Sequence, residues 1–333
     1  MKSVRMTDIA DRLGISVVSV SNGLSGRSGV SEEMRAKILE TAKEMGYGPV
    51  VRSGAKSPSG TNIGILCPDH FFGDNSFYIG LYRAVSRECS KLGYSALMEM
   101  ISAQSERDGV LPLLVSDKKV DALIFLGEVR GDYLEAVLQC QLPAVLLDFY
   151  NSEVPAIQDT ILSDNTRGGY ELTWHLLRQG RKRLCFVGSI FATTSNMDRY
   201  LGFEKAMLQA GMSPCQVRWM EDRDADDHYI PLQFPEEMPD GFVCGCDEVG
   251  FHLIRELQNR GYRIPEDVSV VGYDDSPFAR LSTPAMTAYR VDVEGMAMAA
   301  VCRLQEKLTG KRSWNGSVVV SGKLIPRGSS ENR

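Results

Sequence analysis

Long apolar runs are missing from this chain. The longest, such as Ala122-Leu123-Ile124-Phe125-Leu126, have the length of a buried strand and fall far short of the roughly 20 residues a membrane span needs. That excludes a transmembrane helix. A secretory signal is equally missing, because residues 1–13 carry Asp8, Asp11 and Arg12 where an apolar core is required, so a cytoplasmic protein is expected. Cysteines number eight, at 67, 89, 140, 185, 215, 244, 246 and 302, with no Cys-x-x-Cys pair and no histidine in ligand cadence. They read as reduced, mostly buried thiols, and Cys244 and Cys246 alternate along an expected strand so as to share one face. The four histidines, at 70, 175, 228 and 252, form no ladder, and no metal is expected. Gly-x-Ser-x-Gly, phosphate-loop and Gly-x-Gly-x-x-Gly runs are all absent, which argues against hydrolases, nucleoside triphosphatases and dinucleotide enzymes and leaves no cofactor to expect.

What remains is an ordinary composition of 333 residues, 43% hydrophobic and 24% charged, with room for two or three domains. The net charge of −6 is unevenly spread. Residues 1–58 hold nine Lys/Arg against six Asp/Glu, so a small basic head precedes a larger acidic body. The head reads as three short helices. Thr7 is placed to cap the first, which carries Ile9, Ala10 and Leu13 on one face and stops at Gly14. Ser16 caps a second, with Val20 and Leu24 inward. Ser31 opens a third, with Glu32 and Glu33 in its first turn and Met34, Ile38, Ala42 and Met45 at helical spacing. The first two, joined at Gly14 and Ile15, form a helix-turn-helix candidate.

Gly48, Pro49, Gly54, Pro58 and Gly60 then make a linker composition, so domain boundaries are set at 1–48, 49–60 and 61–333. Beyond it, β-rich runs near 63–67, 95–100, 122–126, 144–147, 184–187, 217–220, 241–244 and 268–271 alternate with amphipathic stretches at 79–92, 168–179, 199–210 and 249–260. Strand, helix, strand at this spacing means parallel sheets with right-handed crossovers. Two such lobes fit the length, with ligands outside the carboxyl ends of the strands and between them.

At the head, Met6-Thr7-Asp8-Ile9-Ala10, Leu13-Gly14-Ile15-Ser16, Ser19-Val20-Ser21, Val30-Ser31-Glu32-Glu33 and Gly46-Tyr47 form a recurrent pattern. In the body stand Ser163-Asp164-Asn165 with Gly168, Arg199-x-x-Gly202-Phe203, and the run from Ile264-Pro265-Glu266-Asp267 to Gly272-Tyr273-Asp274. In this order, over essentially the whole chain, these motifs resemble the lactose/galactose repressor (LacI/GalR) family of bacterial transcription regulators. The resemblance implies an all-α helix-turn-helix headpiece and an α/β core of two parallel-sheet lobes like periplasmic sugar-binding proteins. Lobe 1 is then about 61–159 plus 291–320, and lobe 2 about 160–290 plus 321–333. It also implies a homodimer or tetramer on pseudo-palindromic operator DNA, controlled by a small sugar-like effector. The chain departs from the family at Asn22, where Arg is usual, and at Gly23, where a bulky aliphatic is usual. It departs again at 50–60, which has Gly54, Pro58 and no leucine, so little minor-groove insertion is expected there. Pro231, Pro235 and Pro239 argue against the helix that usually follows the strand near Trp219.

With Val20 and Leu24 inward, Val17, Val18, Ser21 and Asn22 face out of the second helix. Apolar groups pack on thymine methyls, and Asn bonds adenine through one donor and one acceptor. Arg5, Met6, Thr7, Ser16 and Ser31 complete the residues assigned to DNA, since hydroxyls and basic groups at helix starts hold phosphates. In the core, Asp247 and Asp274 each follow an apolar strand. The resemblance carries effector contact onto Asp274 and Arg199, and onto Asp148, Ser195 and Asp247, while Cys246 stands where the family usually has Asn. Tyr78, with Phe71, Phe72 and Phe77, offers an aromatic wall. The leading reading is a ligand-responsive DNA-binding regulator, a repressor, without catalytic activity. The alternatives are a cytoplasmic solute-binding protein or an α/β enzyme carrying a DNA-binding head.

Overall fold

The computed structural model describes residues 6–24, 30–45, 60–72, 76–154, 157, 159–212, 219–224, 228–311 and 316–331. The chain divides into two compact units, Met1–Ser57 and Pro58–Arg333. The division falls inside the linker read from composition; residues 49–59 of that linker, and with them the expectations for its groove contacts, lie outside the described residues.

In the first unit, α1 (Met6–Leu13), α2 (Val17–Leu24) and α3 (Glu32–Glu44) close around Ile9, Ala10, Val20, Ile38 and Ala42. Gly14 ends α1 with φ +62, a left-handed conformation that side chains resist. Ser16 Oγ accepts the Ser19 amide at 3.0 Å and Ser31 Oγ the Met34 amide at 3.3 Å, so both act as N-caps. Thr7 does not. The helix already includes Met6, which leaves Thr7 inside its first turn.

The second unit begins with β1 (Asn62–Pro68), α4 (Asp69–Phe72), α5 (Ser76–Lys91), β2 (Ser95–Ile101), α6 (Ala103–Asp108), α7 (Leu113–Ser116), β3 (Ala122–Leu126), α8 (Gly131–Leu138), β4 (Ala144–Leu147) and β5 (Thr160–Ser163). The chain then crosses to α9 (Asn165–Arg178), β6 (Leu184–Val187), α10 (Thr194–Gln209), β7 (Trp219–Met220), β8 (Gly241–Cys244), α11 (Asp247–Asn259), β9 (Ser269–Asp274), α12 (Pro277–Leu281) and β10 (Thr287–Arg290). It returns through α13 (Val293–Leu308) and β11 (Ser317–Val320), and crosses a last time to β12 (Lys323–Ile325). One sheet has the order β11-β5-β4-β3-β1-β2 and the other β12-β10-β9-β8-β6-β7; among the described residues, β10–β12 is the antiparallel pairing within them. Central strands β3, β4, β6 and β8 are buried along their whole length, which is why they read as unbroken apolar runs.

The lobe boundary needs one correction. Thr160–Ser163 pairs in parallel with β4 and β11, so lobe 1 extends to Ser163 rather than ending near 159. Strand β8 also ends at Cys244, and Cys246 is the first flanking residue of α11 rather than a strand residue. Residues 228–240 contain no helix, consistent with their prolines. Among the described residues no helix is long and apolar enough to cross a membrane.

One packing detail positions the site. Helices α9 and α10 cross so closely that a Cβ at Gly169 would overlap the Arg199 carbonyl, and one at Gly202 the Thr166 carbonyl. This close approach explains the spacing of Gly202 to Arg199, and it sets Arg199 against Asn165. Gly202→Ala should therefore lower core stability by about 1–3 kcal/mol, the usual range for overpacking. A urea midpoint unchanged from wild type would show that the helices part without cost.

Candidate functional site

In the first unit, α2 leaves one face open. Val17 is 42% and Val18 67% exposed while Val20, three residues after Val17, is fully buried. Two exposed valines are a poor choice for water and a good one for base methyl groups. Asn22 is half-buried on the same helix, Ser16 and Ser31 are exposed caps, and Thr7 is exposed on α1. Arg5 and the side chains of Met6, Ser21 and Leu24 lie outside the described residues.

In the second unit a cavity of about 410 Å³ opens between the lobes, at the carboxyl ends of the strands. Lobe 1 contributes Phe71, Phe77, Tyr78 and Asp148, and lobe 2 contributes Ser195, Arg199, Cys246 and Asp274, among others. Asp148 follows β4 and Asp274 ends β9, both on left-handed backbone, with φ of 73° and 102°. Such conformations cost about 1–3 kcal/mol each outside glycine, and concentrate where a side chain must be aimed.

Arg199 is the centre of the cluster. Its Nε donates to Asn165 Oδ1 at 2.9 Å and its Nη1 to the Gly245 carbonyl at 2.7 Å, and its guanidinium lies 4.0 Å from the centre of the Tyr273 ring. Nη2 stands 4.0 Å from Asp274 Oδ1, too far for a hydrogen bond. That oxygen and Asp148 Oδ1 are both buried without a hydrogen-bond partner, while Asp148 Oδ2 accepts from the Tyr78 hydroxyl at 3.0 Å. Ser195 Oγ donates to the Asp148 carbonyl at 2.9 Å, tying the lobes together. A buried acceptor left unmet costs roughly 1–3 kcal/mol, more when charged, so two of them facing one cavity point to hydroxyl or amino donors from a ligand.

The electrostatics agree. Burial pushes the Asp148 carboxyl up to about 6, against the pull of Arg199 and the Tyr78 hydrogen bond. Burial raises Asp274 as well, with Arg199 opposing and Asp148 and Glu248 adding to the rise. Asp148 alone thus protonates more readily folded than unfolded, where its carboxyl sits near 3.8. The ligand-free core should lose a few kcal/mol of stability as pH rises from about 4 to 6, with Asp274 carrying the fall upward. Thermal unfolding across that window checks the sign; stability that rises instead would mean both carboxylates are satisfied.

Asp247, assigned to the effector, is turned away by the fold. It is fully buried, does not line the cavity, and spends Oδ2 on the Ser276 amide at 2.6 Å. It sits at the carboxyl end of β8, as its position after an apolar strand implied, but faces the loop after β9. Phe72 also turns away, edge-on to Tyr82 at 6.1 Å. Sequence reasoning missed Asn165, which orients Arg199, and Glu128, whose Oε2 accepts the Thr194 amide at 2.7 Å and its hydroxyl at 3.0 Å from across the cleft. It also missed Asp222 and Arg223 on the lobe 2 wall. Glu128 and Asp222 obey the rule that found Asp274: each is a carboxylate just past a strand's carboxyl end. Among the described residues no group of three or more side chains is placed to hold a metal ion.

Comparison with known proteins covers both units. Residues 5–50 match the model of bacterial regulatory proteins of the lacI family, and residues 173–330 match a periplasmic binding protein-like domain. The HTH-type transcriptional regulator RegA of Clostridium saccharobutylicum is 27% identical, over 97% of this chain and 98% of its own. The HTH-type transcriptional repressor PurR of Erwinia tasmaniensis is 26% identical, over 96% and 95%. Among solved structures, a lac repressor dimer bound to operator and the anti-inducer ONPF superposes with a TM-score of 0.67 at 20% identity, covering 99% of each chain. A complex of the transcriptional regulator CelR with cellobiose gives 0.67 at 23%, covering 98% of this chain and all of that one.

Proposed function

With a lacI-family DNA-binding domain at its head and a periplasmic-binding-protein-like domain behind it, this chain is a lacI-family transcription regulator, and we propose that a small polar, sugar-like effector between its lobes sets its affinity for operator DNA. The observation that carries this is the pair of buried, unpartnered carboxylate oxygens of Asp148 and Asp274, both within the electrostatic reach of Arg199. They come from different lobes, so one ligand bonded to both favours the closed arrangement, and any state of the lobes that differs in DNA affinity is biased by the same free energy. Ligand hydroxyls donate to the two carboxylates, Ser195 and Tyr78 hold the Asp148 side in place, and Phe71 and Phe77 supply an apolar wall for a ring face.

The protein acts as a repressor and as a homodimer, two headpieces reading the mirrored halves of a pseudo-palindrome, as the dimeric lac repressor on its operator suggests. Helix α2 enters the major groove with Val17, Val18, Ser21 and Asn22 toward the bases, and Ser16, Ser31, Thr7, Met6 and Arg5 toward the backbone. It works in the cytoplasm, where the chromosome is, and turns over no substrate. A thermal-shift screen against sugars and sugar derivatives tests the effector half, since a ligand at 100 times its dissociation constant adds about 2.7 kcal/mol. Binders whose stabilisation persists in Asp274→Ala would place the site elsewhere.

A further inference from the structure

Charge on the walls of the cavity between the lobes is lopsided. The lining carries four carboxylates, those of Asp148, Asp222, Glu248 and Asp274, against the two guanidiniums of Arg199 and Arg223. Counting His70 and His228 as cations brings the sum to zero and no higher. Such walls do not draw in an anionic effector such as a sugar phosphate. Asp222 is met within the fold: Oδ1 accepts the Ser189 amide at 2.6 Å and the Ser189 hydroxyl at 2.8 Å, and Oδ2 stands 3.5 Å from Arg223 Nε. Asp148 has the Tyr78 hydroxyl on one oxygen. Asp274 has no hydrogen-bond donor on either oxygen among the described residues.

Cations are within reach of this stretch of chain, and the fold gives them to the next residue. Asp275, which does not line the cavity, accepts from Arg290 Nε and Arg327 Nη2 at 2.6 Å each, and Arg280 Nη1 stands 3.7 Å from it. Of two adjacent carboxylates, the one turned into the fold has three guanidiniums around it, while the one turned to the cavity has its listed ion-pair cation at 4.0 Å. The donors on the cavity wall are committed elsewhere. Arg199 Nε and Nη1 go to Asn165 and the Gly245 carbonyl, Ser195 Oγ goes to the Asp148 carbonyl, and Cys246 offers a thiol, which donates weakly. Burial raises the Asp274 carboxyl, and although Arg199 opposes the rise, Asp148 and Glu248 add to it. A ligand hydroxyl brings such a carboxylate one hydrogen bond and no charge. An ammonium brings up to three donors and the missing positive charge.

We propose that the effector is an amino sugar, a hydroxylated ring whose free ammonium sits on Asp274 while its hydroxyls reach the Asp148 side. This rests on the effector reading above and specifies the ligand's charge. Glu248, in the first turn of α11, strengthens the preference for a cation through its own charge. Selectivity follows from the same arrangement, because a neutral ring of equal shape leaves the excess negative charge unmet.

The test is isothermal titration calorimetry on the full-length protein at pH 7, with glucose, galactose and mannose, the 2-amino and 6-amino derivatives of each, and the N-acetyl form of every amine. The tightest ligand should be a free amine, at least tenfold tighter than both its hydroxyl parent and its N-acetyl form, which keep the stereochemistry of the ring and lack the charge. Asp274→Asn, of equal size and neutral, should bring those ratios to within twofold of unity, and Glu248→Gln should lower them two- to fivefold. A parent sugar or N-acetyl form binding as tightly as its amine, or an amine preference that both variants keep in full, would overturn the proposal. Asp274→Ala separates the two levels. If a neutral sugar binds the wild type tightest and is lost in Asp274→Ala, the effector reading stands and the ammonium is wrong; if Asp274→Ala keeps every ligand, or no sugar of the set binds the wild type, the effector reading falls and this assignment with it.

Discussion

Asp274→Ala should weaken effector binding by at least about 30-fold while leaving the core as stable as wild type or slightly more so, and Arg199→Ala should do the opposite kind of damage. Truncating one partner of a buried, charge-assisted contact costs roughly 2–5 kcal/mol of binding, which is where the 30-fold floor comes from. Without ligand, however, Asp274 is a buried carboxylate whose Oδ1 meets no donor and whose nearest cation is 4.0 Å away, so removing it relieves a penalty. Arg199 is bound to Asn165, Gly245 and the Tyr273 face and neutralises both Asp148 and Asp274. Its loss leaves two carboxyls buried without a cation and should cost about 3–5 kcal/mol of stability, partly offset by their protonation. Differential scanning calorimetry and ligand titration on both variants separate the effects. Equal destabilisation by the two would mean that Asp274 is part of a structural ion pair and not a ligand-binding group.

Base preference should shift with residue 22. Asn pairs one donor and one acceptor with adenine N6 and N7, whereas Arg offers two donors to guanine N7 and O6, so this protein should select A over G at the half-site position that α2 presents to Asn22. Val17 and Val18, exposed one turn earlier, should favour thymines beside it. Asn22→Arg should restore G with about 1–3 kcal/mol of discrimination, roughly 5- to 150-fold in affinity. A randomised-operator selection on both proteins decides it. The same base enriched by wild type and Asn22→Arg would mean that α2 sits in the groove with residue 22 away from the bases.

How much of this was legible in the sequence depended on burial. Central strands such as Ala122–Leu126 and Gly241–Cys244 are shielded on both faces and stand out as apolar runs. Ser317–Val320 alternates exposed and half-buried residues, and Lys323–Ile325 is three residues long, so neither produces a run; both exist because the chain crosses between lobes late, a tertiary fact. At the site, Asp274 could be placed because strand ends line the cleft in this architecture, whereas Asp148 came only with the family resemblance. Asp247 obeys the same rule and yet points to Ser276, because which way a side chain leaves a strand end is set by local backbone. Asn165 was visible only as part of the Ser163-Asp164-Asn165 motif, because β5 before it makes no unbroken apolar run; its contact with Arg199 arises from the Gly169–Gly202 helix crossing, which joins residues far apart in the chain.

The coupling of effector to DNA is most directly measured by fluorescence anisotropy of a labelled operator, titrated with wild type and Asp274→Ala in the presence and absence of a saturating ligand from the thermal-shift screen. The expected result is a change of at least tenfold in wild-type operator affinity on adding ligand, in either direction, and no change for Asp274→Ala, whose affinity without ligand equals that of ligand-free wild type. A ligand that occupies the wild-type cleft and leaves operator affinity unmoved, or one that moves both proteins alike, would contradict it.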